Sequence, residues 1–189
     1  MLRRAVQSGS VIGVAARAVM ERGELIADAM ITEIVAARLR EGDTKAGFVL
    51  DGFPRTVEQA IALDTLLERR GDLIAVELAV PESVIVGRLS QRRVCERCGS
   101  NADHGTAPDA AACENADCGG ALQQRSDDTE SVIRERLRTY EQATRPLVDF
   151  YRQRCALRAI DGTLAPDLVT TQITRAIHAV FESGGELRP

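Results

Sequence analysis

The sequence predicts an α/β fold in which a parallel sheet with flanking helices is interrupted by a small inserted lobe. Three observations carry this. Short apolar runs at Phe48–Leu50, Leu73–Val80 and Leu157–Ile160 alternate with stretches of helical periodicity, the pattern of strand–helix–strand units. The first and last of these runs end in Asp-Gly, at Asp51-Gly52 and Asp161-Gly162, which turns the chain back toward a helix. Between about Val94 and Arg125 large apolar side chains nearly vanish and Gly, Ala, Asn, Asp and Cys take over, so this segment cannot build a hydrophobic core of its own.

The elements follow in order. Val11–Met20 and Ile26–Leu39 read as amphipathic helices broken at Gly23, and Gly42-Asp43 ends the second. Phe48-Val49-Leu50 reads as a strand buried on both faces. Thr56 is an N-cap for a helix to about Arg69, with Glu58 in its first turn. Gly71-Asp72 leads into the strand Leu73–Val80, and Pro81 opens a helix over Glu82–Gln91. After the insert, Glu130–Arg152 reads as the longest helix, Leu157–Ile160 as the third strand, and Pro166 starts a final helix to about Phe181. This divides the chain into 1–27, a core built from 28–93 and 126–189, and an insert at 94–125.

Composition narrows the function classes. At 189 residues, 28% charged and 44% hydrophobic, the chain has the balance of a globular protein rather than a disordered one. A net charge of −4 gives no basic footprint for general nucleic-acid binding. No apolar run approaches the roughly 18 residues of a membrane span, and nothing at the amino terminus reads as a signal peptide, so the expected compartment is the cytoplasm. Lys45 is the only lysine. Any grip on phosphate must therefore come from arginine forks and backbone N–H groups.

Four of the five cysteines lie within 24 positions: Cys95 and Cys98, then Cys113 and Cys118 after fourteen intervening residues. Two cysteine pairs on tight turns can set four thiolates around a tetrahedral Zn²⁺, and metal binding would supply about 10 kcal/mol of ordering free energy to a coreless insert. The second pair is spaced by four residues, which leaves Asp117 as an alternative fourth ligand to Cys118. Four protein ligands leave no open position, so such a metal is structural. His104 reads as a solvated loop residue, and Cys155 as a small buried side chain beside the third strand.

Two further groups carry chemistry. Asp51 sits at the carboxyl end of an apolar run, and Gly52 and Pro54 then force a turn that Arg55 leaves as a planar cation. A carboxylate and a guanidinium so placed suit Mg²⁺ and phosphate. Arg88, Arg92 and Arg93 cluster where the chain enters the insert; Arg125, Asp127 and Asp128 mark its exit, with Arg134 and Arg136 on the helix that follows. An insert framed by arginines at both hinges reads as a lid closing over an anion. Phosphoryl transfer needs such an arrangement, because its catalysis is mainly positioning and charge stabilisation in a water-poor site.

With these pieces in place, F-V-L-D-G-F-P-R-T at Phe48–Thr56 and the cysteine insert resemble a bacterial-type adenylate kinase with a long zinc-bearing lid, over nearly all of Met1–Ala179. The resemblance implies a P-loop kinase-like sheet and the reaction ATP + AMP to 2 ADP, with Mg²⁺ accompanying ATP and a structural Zn²⁺ in the lid. It implies a monomer acting on ATP, AMP and ADP, with no nucleic-acid or membrane partner. Residues 1–27 would belong to the AMP-binding segment, where Arg3 contacts the AMP phosphate and Glu24, Leu25 and Ile26 line the adenine site. Gly52, Phe53, Pro54 and Arg55 would form the AMP loop, with Gln59 reading the adenine edge and Asp51 holding Mg²⁺ through water. Arg88 and Arg92 would grip donor phosphates, while Arg125 and Arg136 span both nucleotides. Asn101, Ala102 and the Asp161-Gly162-Thr163-Leu164 loop would approach the ATP base.

The resemblance also implies an element that these residues do not contain. The family opens with a buried strand and a G-x-P-G-x-G-K-[GS]-T phosphate loop, whereas no G-x-x-x-x-G-K-[ST] run occurs here. Two strands of a five-strand sheet would be missing with it, one of them central, leaving unpaired inner edges. The expectation is a chain with little or no turnover as it stands. A gene model begun at an internal methionine, a truncated paralogue and a partner-dependent fragment all fit. Alternatives in function are a non-catalytic AMP-binding protein and another nucleoside monophosphate kinase. A zinc-ribbon nucleic-acid module fits poorly with the acidic charge and 3% aromatic content.

Overall fold

The structure is a computed structural model that describes residues 27–67, 73–102, 112–115, 117–125 and 127–182, together with 14, 17, 19, 21, 22 and 25. The chain divides into two compact units, Met1–Glu24 with Pro81–Leu137, and Leu25–Val80 with Arg138–Pro189. The helix expected at Val11–Met20, together with Arg3, Glu24, Ile26 and His104, falls wholly or mostly outside the described residues.

In the second unit, helix α1 (Asp28–Leu39) is followed by a tight 3₁₀ turn, Gly42–Ala46. Thr44 holds that turn, its hydroxyl donating to the carbonyls of Leu39 and Glu41 at 2.8 Å each. Helix α2 spans Val57–Leu67 and packs on α1. Val35, Leu39, Phe53, Leu63 and Leu67 form the core between them. Leu63 is fully buried, because the i, i+4 repeat of Gln59, Leu63 and Leu67 turns one helix stripe inward.

Strand β1 (Ala75–Ala79) pairs in parallel with a later strand, β4 (Leu157–Asp161), in register Ala75 with Leu157 through Ala79 with Asp161. The expected second and third strands are therefore direct neighbours. The last described helix, Pro166–Glu182, packs on β4, and a second core of Ala60, Leu147, Tyr151 and Ala156 joins α2 to the region beneath the sheet.

The first unit holds helix α3 (Glu82–Ser90) and a small antiparallel pair, β2 (Arg93–Cys95) and β3 (Leu122–Gln124), with Cys95 opposite Leu122. Cys95 and Leu122 are buried. Helix α4 (Glu130–Thr139) follows, with Ile133 fully buried.

Three expectations differ from what is observed. Phe48–Leu50 is extended but joins no strand ladder among the described residues. Phe48 and Leu50 pack on the α1–α2 core while Val49 is 91% exposed; in an extended chain alternate side chains face opposite ways, and only one face here is covered. The long helix expected over Glu130–Arg152 is divided. Arg145 N–H reaches the Tyr140 carbonyl at 2.8 Å across a π-helical turn, Tyr140–Thr144. Helix α5 then starts at Pro146 and runs to Gln153, and the longest helix among the described residues is α6 (Pro166–Glu182). Proline has no N–H to continue the ladder but suits the first turn of a new helix. Cys155 is exposed, not buried, and has φ of 56°; it ends α5 in a tight turn, its N–H bonded to the Arg152 carbonyl.

Candidate functional site

Three of the hinge arginines, Arg92, Arg125 and Arg136, come together around one carboxylate, and Arg93 is exposed. α3 ends at Ser90, and the chain turns so that Arg92 N–H meets the Leu89 carbonyl. On the other side, β3 ends at Gln124 and a turn closed by Asp128 N–H on the Arg125 carbonyl leads into α4. Gln124 fastens the two, its Nε2 donating to the carbonyls of Ser90 and Asp128 at 3.2 Å each. Arg92 donates to Asp128 through Nε at 2.8 Å and Nη2 at 2.6 Å. Arg136, on α4, donates from Nη1 at 3.4 Å, and Arg125 Nε lies 3.9 Å away. Arg125 forks onto Asp127 through Nε at 2.8 Å and through Nη2.

Burial makes this cluster expensive to assemble and hard to break. The Asp128 side chain is 0% exposed and that of Asp127 11%. Burial alone would raise the Asp127 carboxyl, but the Arg125 fork and the charges of Arg125 and Arg136 hold it below the usual carboxylate range. Burial lowers Arg136, and repulsion from Arg92 and Arg125 works in the same direction against the pull of both aspartates. Three guanidiniums against two carboxylates leave net positive charge in a partly dry setting, where it attracts an anion more strongly than in water. Arg88 lies half-buried on α3 in the same unit. Arg134 instead forms an exposed pair with Glu130 at 2.7 Å, a solvated helix-face contact worth little.

The loop Asp51–Arg55 is built on the other unit. Gly52 has φ of 75°, and a Cβ there would meet Arg55 Nη2 at 3.1 Å; both facts favour glycine. Arg55 folds back so that its Nε donates to the Gly52 carbonyl at 2.9 Å. Phe53 is buried in the α1–α2 core, anchoring the loop, and the Phe53–Pro54 peptide is cis. Asp51 and Arg55 are exposed. Gln59 is only 3% exposed. Its Oε1 accepts from Arg55 N–H at 2.7 Å, and its Nε2 donates to Asp28 at 2.6 Å. Leu25 and Leu164 are half-buried in this unit; in the other, Ala102 N–H bonds the Arg93 carbonyl and Asn101 bridges Val94.

The four clustered sulfurs converge. Those of Cys95, Cys98, Cys113 and Cys118 all lie within 4.8 Å of one another, and Asp117 is not among them. Cys95 and Cys118 are 3.5 Å apart, Cys98 and Cys113 3.6 Å. A tetrahedron with Zn–S bonds near 2.3 Å has edges of about 3.8 Å, so the set has the size for such a metal. Gly120 permits the approach, since a Cβ there would sit 2.6 Å from the Cys95 sulfur. The sulfurs divide in their protonation. Hydrogen bonding from Ser100 brings Cys98 down to about 5, whereas burial and the neighbouring sulfurs outweigh an Asn115 N–H bond and push Cys113 up to about 12. Four thiolates cannot coexist so closely without a cation.

Comparison with known proteins fits this geometry. The family model described as adenylate kinase matches residues 1–156. The chain belongs to the adenylate kinase family. An adenylate kinase of Trichlorobacter lovleyi is 46% identical over 164 residues, covering 86% of this chain and 77% of the relative. One of Archaeoglobus fulgidus is 43% identical over 165 residues, covering 86% and 76%. One of Desulfitobacterium hafniense is 42% identical over 186 residues, covering 97% and 84%. Family membership makes the chain a nucleotide-binding phosphotransferase with an α/β fold, and the parallel β1–β4 pair with its flanking helices is part of that fold. Asp28, Gln124, Ser100 and Asn115 join these sites without a sequence motif to mark them. Thr56-x-x-Gln59 has the capping-box spacing, and the structure makes its Gln59 N–H to Thr56 half while the Gln59 carboxamide takes Arg55 N–H instead.

Proposed function

We propose that the chain is built for the reaction ATP + AMP to 2 ADP, with little or no turnover from these residues as they stand, since they contain no G-x-x-x-x-G-K-[ST] run. The observation that supports this most is the gathering of Arg92, Arg125 and Arg136 around the buried Asp128 in a member of this family. The aspartates keep the guanidiniums oriented before any nucleotide arrives, so little reorganisation accompanies binding. Arg88 and Arg92 then grip the donor phosphates, and Arg125 and Arg136 span the two nucleotides as charge passes between them. Arg3 and Arg55 hold the AMP phosphate. Gly52, Phe53 and Pro54 shape the loop against it, with Glu24, Leu25 and Ile26 beside the adenine and Gln59 reading its edge. Asn101, Ala102 and Leu164 approach the ATP base.

Two ions belong to this reading. Asp51 is an exposed carboxylate, a hard oxygen donor suited to Mg²⁺ through water; Mg²⁺ supplies charge neutralisation on the phosphates. Cys95, Cys98, Cys113 and Cys118 would hold Zn²⁺, whose role is to order residues 94–125 as a lid. The chain works as a cytoplasmic monomer on small nucleotides, a reading consistent with its acidic charge and with the lack of any described helix long and apolar enough to cross a membrane.

Calorimetry on the purified chain with AMP, ATP and a bisubstrate mimic of two linked adenosines tests the proposal. AMP and the mimic should bind, and Arg125→Ala should weaken the mimic more than AMP. Absence of binding to all three ligands would overturn it. Binding is the informative readout here, because no G-x-x-x-x-G-K-[ST] run occurs in these residues.

A further inference from the structure

We infer that Asp28 is the positioning residue of the loop's base-reading side: it fixes the orientation of the Gln59 carboxamide and so sets the preference for adenine over guanine. The inference rests on the reading of Gln59 given above. Asp28 opens α1, 31 positions before Gln59, and its two oxygens are divided between two partners. Oδ1 accepts from Gln59 Nε2 at 2.6 Å, and Oδ2 accepts from Thr56 Oγ1 at 3.1 Å. The Thr56 hydroxyl in turn accepts from Gln59 N–H at 3.1 Å, capping α2.

These partners settle which end of the carboxamide is which. A carboxylate only accepts, so Nε2 must face Asp28. A backbone N–H only donates, so Oε1 must face Arg55. The hydrogen-bond chain therefore fixes a flip that is otherwise open to an amide side chain. At 3% exposure, Gln59 cannot turn over in water to escape it.

Among the described residues, this leaves Gln59 one Nε2 proton and one Oε1 lone pair. That donor and acceptor, side by side, complement the Watson–Crick edge of adenine, which offers the N1 acceptor beside the N6 amino donor. Guanine presents a ring N–H donor beside a carbonyl acceptor, the reverse order. A flipped carboxamide would suit guanine. Asp28 opposes that flip, because turning Oε1 toward it would set two acceptors against each other. With Asp28 gone, only the Arg55 bond resists.

The test is titration of the full chain with AMP and GMP, comparing wild type with Asp28→Ala and Asp28→Asn. In Asp28→Ala, AMP affinity is expected to fall about tenfold, the scale of one hydrogen bond to a charged group, while GMP affinity falls less or rises, so the ratio drops. Asp28→Asn keeps an acceptor for Nε2 and should restore most of the ratio. Equal losses for AMP and GMP would overturn the inference, since they mark a structural role only. A wild-type chain that binds AMP and GMP alike would overturn the base-reading role of Gln59 and this inference with it. If Asp28→Ala does not fold, Gln59→Glu sets two carboxylates together and Asp28→Asn/Gln59→Glu separates them. The thermal midpoint is the readout for this pair, since the carboxylate introduced by Gln59→Glu has no proton to offer the base: a midpoint lowered in Gln59→Glu and recovered in the double variant supports the pairing, and failure to recover it overturns it.

Discussion

Arg92 and Asp128 meet through two hydrogen bonds, of 2.8 and 2.6 Å, at a carboxylate that is wholly buried. The pair joins the entry of the insert to its exit, 36 positions apart. Removing one member of a buried pair leaves the other uncompensated. Asp128→Asn should cost about 3 kcal/mol in denaturant unfolding, at the lower end of that range because the Arg92 side chain is 22% exposed and can turn toward water. It should also weaken inorganic tripolyphosphate binding, because Arg92, Arg125 and Arg136 lose their shared anchor. Unchanged stability and unchanged anion affinity together would remove Asp128 from its organising role.

Removal of metal gives a second expectation. A chelator should lower the thermal midpoint, and restored Zn²⁺ should bind at one ion per chain with proton release. Cys113→Ser should reproduce the chelated state. Metal content by mass spectrometry under native conditions checks the stoichiometry, and a chain that melts identically with and without chelator contradicts the assignment.

Leu63 is fully buried between α1 and α2. Leu63→Ala should cost about 2–5 kcal/mol through lost burial and a residual cavity. Ile61, on the same helix but 53% exposed, should tolerate alanine within about 0.5 kcal/mol. Paired denaturant curves of the two variants separate these outcomes.

Tyr151 carries an alkaline signature. Its ring is buried, and its hydroxyl has no hydrogen-bond partner among the described residues. Burial, and secondarily the charge of Asp64, push its phenol up to about 12. The folded state thus favours the neutral form. The associated stability is fully present below the unfolded value near 10 and is lost as pH rises through about 12. Phenolate absorbance should appear at higher pH in the native chain than in urea. Tyr151→Phe should remove the buried group's part of that difference and leave stability equal or higher, since an orphaned hydroxyl goes with it.

Legibility in the sequence followed the range of the interactions. The strands at Ala75–Ala79 and Leu157–Asp161, the Thr56 cap and the helix from Pro166 rest on local signals and were readable. The cysteine pairs were readable as a metal set because their spacing is short, and the convergence of four sulfurs favours Cys118 over Asp117. Val49 was misread because an apolar triplet does not say whether its second face will be covered. The division of the long helix was missed although Pro146 was visible, since the periodicity on both sides suits helix. Asp28 gave no signal at all: its partners lie 28 and 31 positions away, and a first-turn acid has an ordinary local reason to be there.

The 3₁₀ turn Gly42–Ala46 has a practical consequence. It carries the only lysine of the chain, Lys45, exposed on a turn that links α1 to the Asp51–Arg55 loop. A protease that cuts after lysine therefore has one site, and that site separates the helix bearing Asp28 from the helix bearing Gln59. A single nick would convert their hydrogen bonds from a tethered to an untethered association. The drop in stability on nicking would measure the effective concentration that this short tether imposes.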